Sequence, residues 1–181
     1  MGHIVKSISL YLDVDGVVCP FGPVGTTDWG TAWQYAGVGL MEVKYAAELV
    51  GELNDLSGCA GVRCVWLTSW EELAPKYLCR AIGLDGRKWP VLSSGDQAGG
   101  YEWWKLDAIQ RDIEKHSPER IVWIDDQLDS EDRAGAWMTI LGRRILGVSP
   151  DPRRGISLTD ILSIKAFLDS GPTEQWQHGE R

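Results

Sequence analysis

ISLYLDVDG, Ile8 to Gly16, is the stretch that most limits what this chain can fold into. Its apolar residues run on instead of alternating cleanly with polar ones. A strand of that kind is buried on both faces, which places it inside a sheet covered by helices on each side. The run ends on two carboxylates, Asp13 and Asp15, with Gly16 directly after. A buried strand that stops on two acids delivers them to the sheet's carboxyl edge, where open α/β folds bind their ligands.

Four further apolar runs follow: VRCVWLT, WPVLS, RIVWIDD and RRILGVS. Helical patterns separate them. VKYAAELVGELNDLSG places Ala46, Leu49, Val50 and Leu53 on one helical face, with Gly58 as its stop. WWKLDAIQRDIEKH groups Leu106, Ile109 and Ile113. EDRAGAWMTIL and ISLTDILSIKAFLDSG supply two more helices, and Gly171-Pro172 closes the last. This rhythm predicts a doubly wound, Rossmann-like parallel sheet of about five strands with helices on both faces. No repeat or linker divides the chain, so residues 1–172 are expected to form one domain and 173–181 a polar tail. CPFGPVGTTDWG, Cys19 to Gly30, reads as a loop or flap after the first strand.

Composition removes several function classes. The formal net charge is −8, which gives no general attraction to nucleic acid or anionic membranes. No apolar run reaches the ~20 residues of a bilayer span, and the N-terminus shows no secretory signal pattern. The four cysteines (Cys19, Cys59, Cys64, Cys79) form no C-x-x-C pair and have no histidine at zinc-ligand spacing. Free thiols in a reducing cytoplasm are the expectation.

The strand ends gather polar groups at one edge. Beside Asp13 and Asp15 come Thr68-Ser69 from the second strand and Asp125-Asp126 from RIVWIDD, with Lys105 at the start of the preceding helix. Carboxylates that close resist joint ionisation unless a cation joins them. Their oxygens suit a hard ion such as magnesium, and a hydroxyl and a lysine beside it suit a phosphoryl group. One carboxylate can act as nucleophile, and a second two residues on as general acid and base. Gly16 lets the chain turn so that both acids reach the site. An EF-hand is a poor alternative, because Gly16 comes too early and no glutamate closes the loop.

Together these residues resemble the haloacid dehalogenase (HAD) superfamily of phosphohydrolases. DVDGVV is similar to its first motif, VWLTS to its second, Lys105 to its third and IVWIDD to its fourth, in the family's order, across about residues 7 to 170. TSWE, the paired acids and the ending PDPRRGISLTDILSIKAFL look most like HAD domains of bacterial and phage RNA-repair proteins, relatives of the phosphatase half of phage polynucleotide kinase.

The resemblance implies roles. Asp13 is the nucleophile, forming an aspartyl-phosphate, and Asp15 is the acid and base. Magnesium would be held by Asp13, by the backbone carbonyl of Asp15 and by Asp126, with Asp125 behind. Thr68, with Ser69 as its local competitor, and Lys105 would hold the phosphoryl group. An acid at Asp15 points to a phosphatase, since dehalogenases of the superfamily lack one there. Only about two dozen residues, Val17 to Leu40, and one helix separate Gly16 from the second strand, so the cap is expected to be minimal or absent. An open site suits a bulky phosphorylated substrate such as a nucleic-acid end or nucleotide, and leaves room for a partner protein or a second copy to cover it. The competing readings are a phosphoprotein or small-metabolite phosphatase and a non-catalytic binding module. Trp29, Trp33, Trp103 and Trp104 could stack on bases, but the acidic balance favours packing. Arg143, Arg144, Arg153 and Arg154 could meet a phosphate backbone or stay solvated.

Overall fold

The computed structural model describes residues 7–23, 28–29, 33–95 and 103–170. In chain order the elements are β1 Ile8–Leu12, β2 Trp33–Val38, β3 Met41–Ala46, α1 Ala47–Gly58, β4 Val62–Trp66, α2 Cys79–Ile82, α3 Trp104–His116, β5 Arg120–Ile124, α4 Asp132–Leu141, β6 Ile145–Val148 and α5 Leu158–Asp169. A π-helical turn, Ala74–Leu78, leads into α2. The tail, the Gly171-Pro172 stop and the centre of the Gly/Pro loop lie outside the described residues.

Four strands form one parallel sheet in the order β4-β1-β5-β6. Every residue of β1 and of β5 is buried, as their apolar sequences require. Successive side chains point to opposite faces, so one strand feeds two cores. Leu10, Leu12, Cys64, Trp66, Val122, Ile124 and Val148 pack with Leu49, Val50 and Leu53 of α1 and Ile161 and Ile164 of α5. Tyr11, Val65, Leu67, Ile121 and Trp123 pack on the other face with Leu106 and Ile109 of α3 and Ala134 of α4. This is the doubly wound α/β architecture that the strand–helix rhythm predicts. Truncating a fully buried leucine such as Leu12 should cost about 2–5 kcal/mol.

Two local expectations are corrected. WPVLS is not a full strand. Val91 meets Trp66 in an isolated parallel bridge, with Trp66 N–H donating to Pro90 O and Leu92 N–H to Trp66 O. Proline cannot donate to a ladder, so the segment pairs for one residue and leaves. The predicted helix from Val43 begins only at Ala47. Val43 to Ala46 instead finish an antiparallel hairpin with β2, turned at Gly39, whose φ of 63° suits a residue without a side chain. Tertiary packing decided this: Val38, Val43 and Tyr45 on one hairpin face join the larger core. The hairpin occupies the cap position between β1 and α1. Among the described residues, no helix is long and apolar enough to cross a membrane.

Candidate active site

β1 ends on Leu12, and the next residue extends the sheet's edge. Asp13 N–H donates to Ile124 O, while Leu67 N–H donates to Leu12 O. Asp125 N–H donates to Val148 O in the same way. Asp13, Thr68 and Asp125 therefore stand side by side just beyond three neighbouring strands, and all three are buried.

Lys105, in the first turn of α3, reaches into this row. Its Nζ lies 2.6 Å from Asp13 Oδ2 and 2.6 Å from Asp125 Oδ2. Trp103 helps to aim it: its ring stacks on Trp123 at 5.2 Å, and Nζ lies 5.7 Å from the ring centroid. Asp13 Oδ1 accepts from Val14 N–H at 2.7 Å, and Asp125 Oδ1 from Gln127 N–H at 3.0 Å. Both carboxylates are thus fixed on each oxygen. Burial opposes the Lys105 charge, but Asp13 and Asp125 outweigh it, and its pKa is raised. Burial also pushes the Asp125 carboxyl up, against the pull of Lys105. The two shifts compete, and the ammonium is the charge that holds, because two carboxylates support it at once.

Asp126 completes an acidic cluster. One oxygen each from Asp13, Asp125 and Asp126 lie within 4.8 Å of one another. Asp126 is only half-buried, and its pKa is raised by burial and by Asp13. The donor set fits a hard divalent cation: oxygens only, and three carboxylates against one ammonium. Gly16 makes this geometry possible. Its φ is 69°, and a Cβ there would lie 2.6 Å from Asp126 Oδ2. The carboxylate occupies space that any side chain at position 16 would claim.

The Asp15 carboxylate stands apart from the cluster. Trp70 Nε1 donates to its Oδ2 at 2.9 Å. Burial pushes the Asp15 carboxyl up, Trp70 pulls it down, and Asp13 pushes it further up. The indole N–H is its one side-chain partner among the hydrogen bonds described, and it turns the carboxylate away from Lys105. Thr68 Oγ1 accepts from Trp70 N–H at 3.3 Å, and Ser69 is exposed beside it. Glu71, at φ 44°, accepts from Ser94 N–H and Oγ, which ties down the chain after the Val91 bridge.

The structure thus brings together Asp13, Lys105, Asp125 and Asp126, with Asp15, Thr68 and Ser69 adjoining. Sequence reasoning singled out the TSWE stretch but gave Trp70 no role, and it weighed Trp103 only as a base-stacking or packing residue, not as a partner of Lys105. The signal for Trp70 was its place two residues beyond Thr68; its partner, 55 residues away, was not readable. Of the tryptophans offered as base-stacking groups, Trp29 is buried and donates to Ile156 O, and Trp103 stacks inside the protein on Trp123. Arg144 donates to Pro118 O, and Arg154 pairs with Asp28 at 2.7 Å. The four cysteines are free thiols, and burial pushes Cys19 and Cys64 up to about 12.

Residues 9–161 match the family model described as the HAD domain in Swiss Army Knife RNA repair proteins. No curated protein matches the chain.

Proposed function

Because the chain belongs to the family of HAD domains in Swiss Army Knife RNA repair proteins, we propose that it is a magnesium-dependent phosphohydrolase that cleaves a phosphate monoester from a nucleic-acid end or nucleotide. The observation that carries this reading is the division of labour between two acids two residues apart. Asp13 is held against the Lys105 ammonium, and Asp15 is set aside on Trp70 with its carboxyl raised.

The chemistry follows from that division. An Asp13 oxygen attacks phosphorus, forming an acyl phosphate as the bond to the leaving oxygen breaks. Asp15 gives its proton to that oxygen. The Asp15 carboxylate then takes a proton from water as the water oxygen attacks the same phosphorus, releasing phosphate and restoring Asp13. Lys105 balances charge on Asp13 and on the phosphoryl oxygens, and Thr68 and Ser69 offer hydroxyls to them. Asp13, Asp126 and the backbone carbonyl of Asp15 would hold magnesium, with Asp125 behind. The ion would supply charge neutralisation at the phosphoryl group.

The test is phosphate release from 3′- and 5′-phosphorylated oligonucleotides, mononucleotides, a phosphopeptide and a sugar phosphate. Each is run with magnesium, with chelator and with the Asp13→Asn protein. Magnesium-dependent release that the substitution reduces roughly a thousandfold or more supports the reading. Undiminished release by Asp13→Asn would sink the nucleophile, and best turnover of phosphopeptide or sugar phosphate would move the substrate class.

A further inference from the structure

A cavity of about 340 Å³ opens beside Asp15, between the Cys19–Pro23 segment and the hairpin. Its walls include Phe21, Tyr35, Glu42 and Lys44. Phe21 is 67% exposed and Tyr35 56%, although aromatics without a ligand usually cover themselves in a core. One stands on each wall. Tyr35 pairs with Lys44, and Gly37 with Glu42, across the hairpin register, so these four positions share the hairpin's outer face. The opposite face, with Val38, Val43 and Tyr45, is buried in the core. The Lys44 ammonium lies 5.3 Å over the Trp33 ring, which holds it on that outer face.

Gly37 is the unusual residue of the hairpin. It has no positive φ, and a Cβ there would meet nothing within 4 Å. Neither backbone conformation nor packing requires glycine, and glycine weakens a strand. Its missing side chain leaves the hairpin's outer face flat opposite Glu42, next to the cavity that Tyr35, Glu42 and Lys44 line.

We propose that this groove is a subsite for the terminal nucleoside of the substrate, its base held by Phe21 and Tyr35 and its polar edges by Lys44 and Glu42. The inference rests on the phosphohydrolase reading, because the groove includes Asp15, the group that protonates the leaving oxygen. A leaving group that passes Asp15 on that side would enter the groove. Its size suits one nucleoside and not a strand, and ring stacking is the main attraction an acidic protein can offer a nucleic acid. Binding then depends little on salt, unlike that of a protein tracking a phosphate backbone.

The test uses the whole chain and its Phe21→Ala, Tyr35→Ala and Gly37→Val variants. Turnover is measured on a phosphorylated oligoribonucleotide, a mononucleotide, a phosphotyrosine peptide and acetyl phosphate, which carries no ring. Binding of a fluorescent mononucleotide to the Asp13→Asn protein is measured separately. Each variant should lower kcat/KM for the nucleotide substrates about fivefold to a hundredfold, mainly through KM, and leave acetyl phosphate within about twofold. Gly37→Val should do so without lowering Tm. Equal losses on acetyl phosphate, or unchanged KM for nucleotides, would overturn the subsite. So would a phosphotyrosine peptide that is preferred and shows the same losses. Acetyl phosphate turnover with no nucleotide binding removes the groove and leaves the chemistry. Nucleotide binding lost in Tyr35→Ala, with no turnover of anything, keeps the groove and removes the chemistry.

Discussion

Lys105 is the structural centre of the candidate site. It is 5% exposed and answers two buried carboxylates. Lys105→Met should cost about 3–5 kcal/mol in urea unfolding, because it leaves two buried acids facing each other without a cation. Magnesium should recover part of that loss. Trp70→Phe keeps the packing and removes only the indole N–H that holds Asp15. We expect kcat to fall about tenfold with little change in Tm, the kinetic equivalent of about 1.4 kcal/mol for one lost hydrogen bond. Gly16→Ala brings a methyl group onto the Asp126 carboxylate, so magnesium affinity measured by calorimetry should drop while Asp13 stays in place. That Asp13, Thr68, Asp125 and Asp126 would meet at one edge was legible in the chain, because each stands at the end of an apolar run. Trp70 and Trp103 were not, because an indole gives the same sequence signal whether it packs or positions a neighbour.

At the scale of elements, α3 is tied to the sheet by a second polar cluster away from the candidate site. Arg63 of β4 makes two hydrogen bonds to Asp112, at 2.7 and 3.0 Å, and Tyr11 Oη donates to Asp112 at 2.7 Å. Burial would raise the Asp112 pKa, but Arg63 and Tyr11 outweigh it and the pKa is lowered. A depressed carboxylate pKa gives stability that is full above the unfolded value, about 3.9, and lost as pH falls through the folded one. Urea midpoints should therefore fall below about pH 4, and Asp112→Asn should flatten that acid limb while costing about 2 kcal/mol at neutral pH. This anchor holds the helix that carries Lys105, so it bears on the candidate site without touching it. The helices were readable from their periodicity; the hairpin was not. MEVKYA has apolar residues at positions that also continue the α1 pattern, and only the pairing with β2 and the core contacts of Val43 and Tyr45 settle it as a strand.

Across the whole molecule, the three clustered carboxylates and single lysine leave an excess of negative charge at the sheet edge. A divalent cation that binds only the folded state adds stability by mass action, about 2.7 kcal/mol at roughly a hundredfold excess over Kd. Thermal scans should show Tm rising with magnesium and returning to the starting value with chelator. Asp126→Asn should blunt that rise. The loop after β6 closes the same edge: Ile156 N–H donates to Val17 O, Phe21 N–H to Pro152 O and Gly22 N–H to Arg153 O. A Cβ at Gly155 would lie 2.5 Å from Val17 O, so this seam admits no side chain there.

The amino-acid sequence alone determined the doubly wound sheet and the row of polar groups at its carboxyl edge. Burial on both faces demands apolar strands, and the polar residues that end them stand out against those runs; both leave marks at fixed positions along the chain. Only the tertiary structure decided that Asp125 shares Lys105 with Asp13, that Asp15 turns to Trp70, and that exposed Phe21 and the hairpin's Tyr35 border one cavity beside Asp15. Each of these depends on side chains distant in sequence arriving within a few ångströms. Local propensity is blind to such meetings, and packing alone settles them.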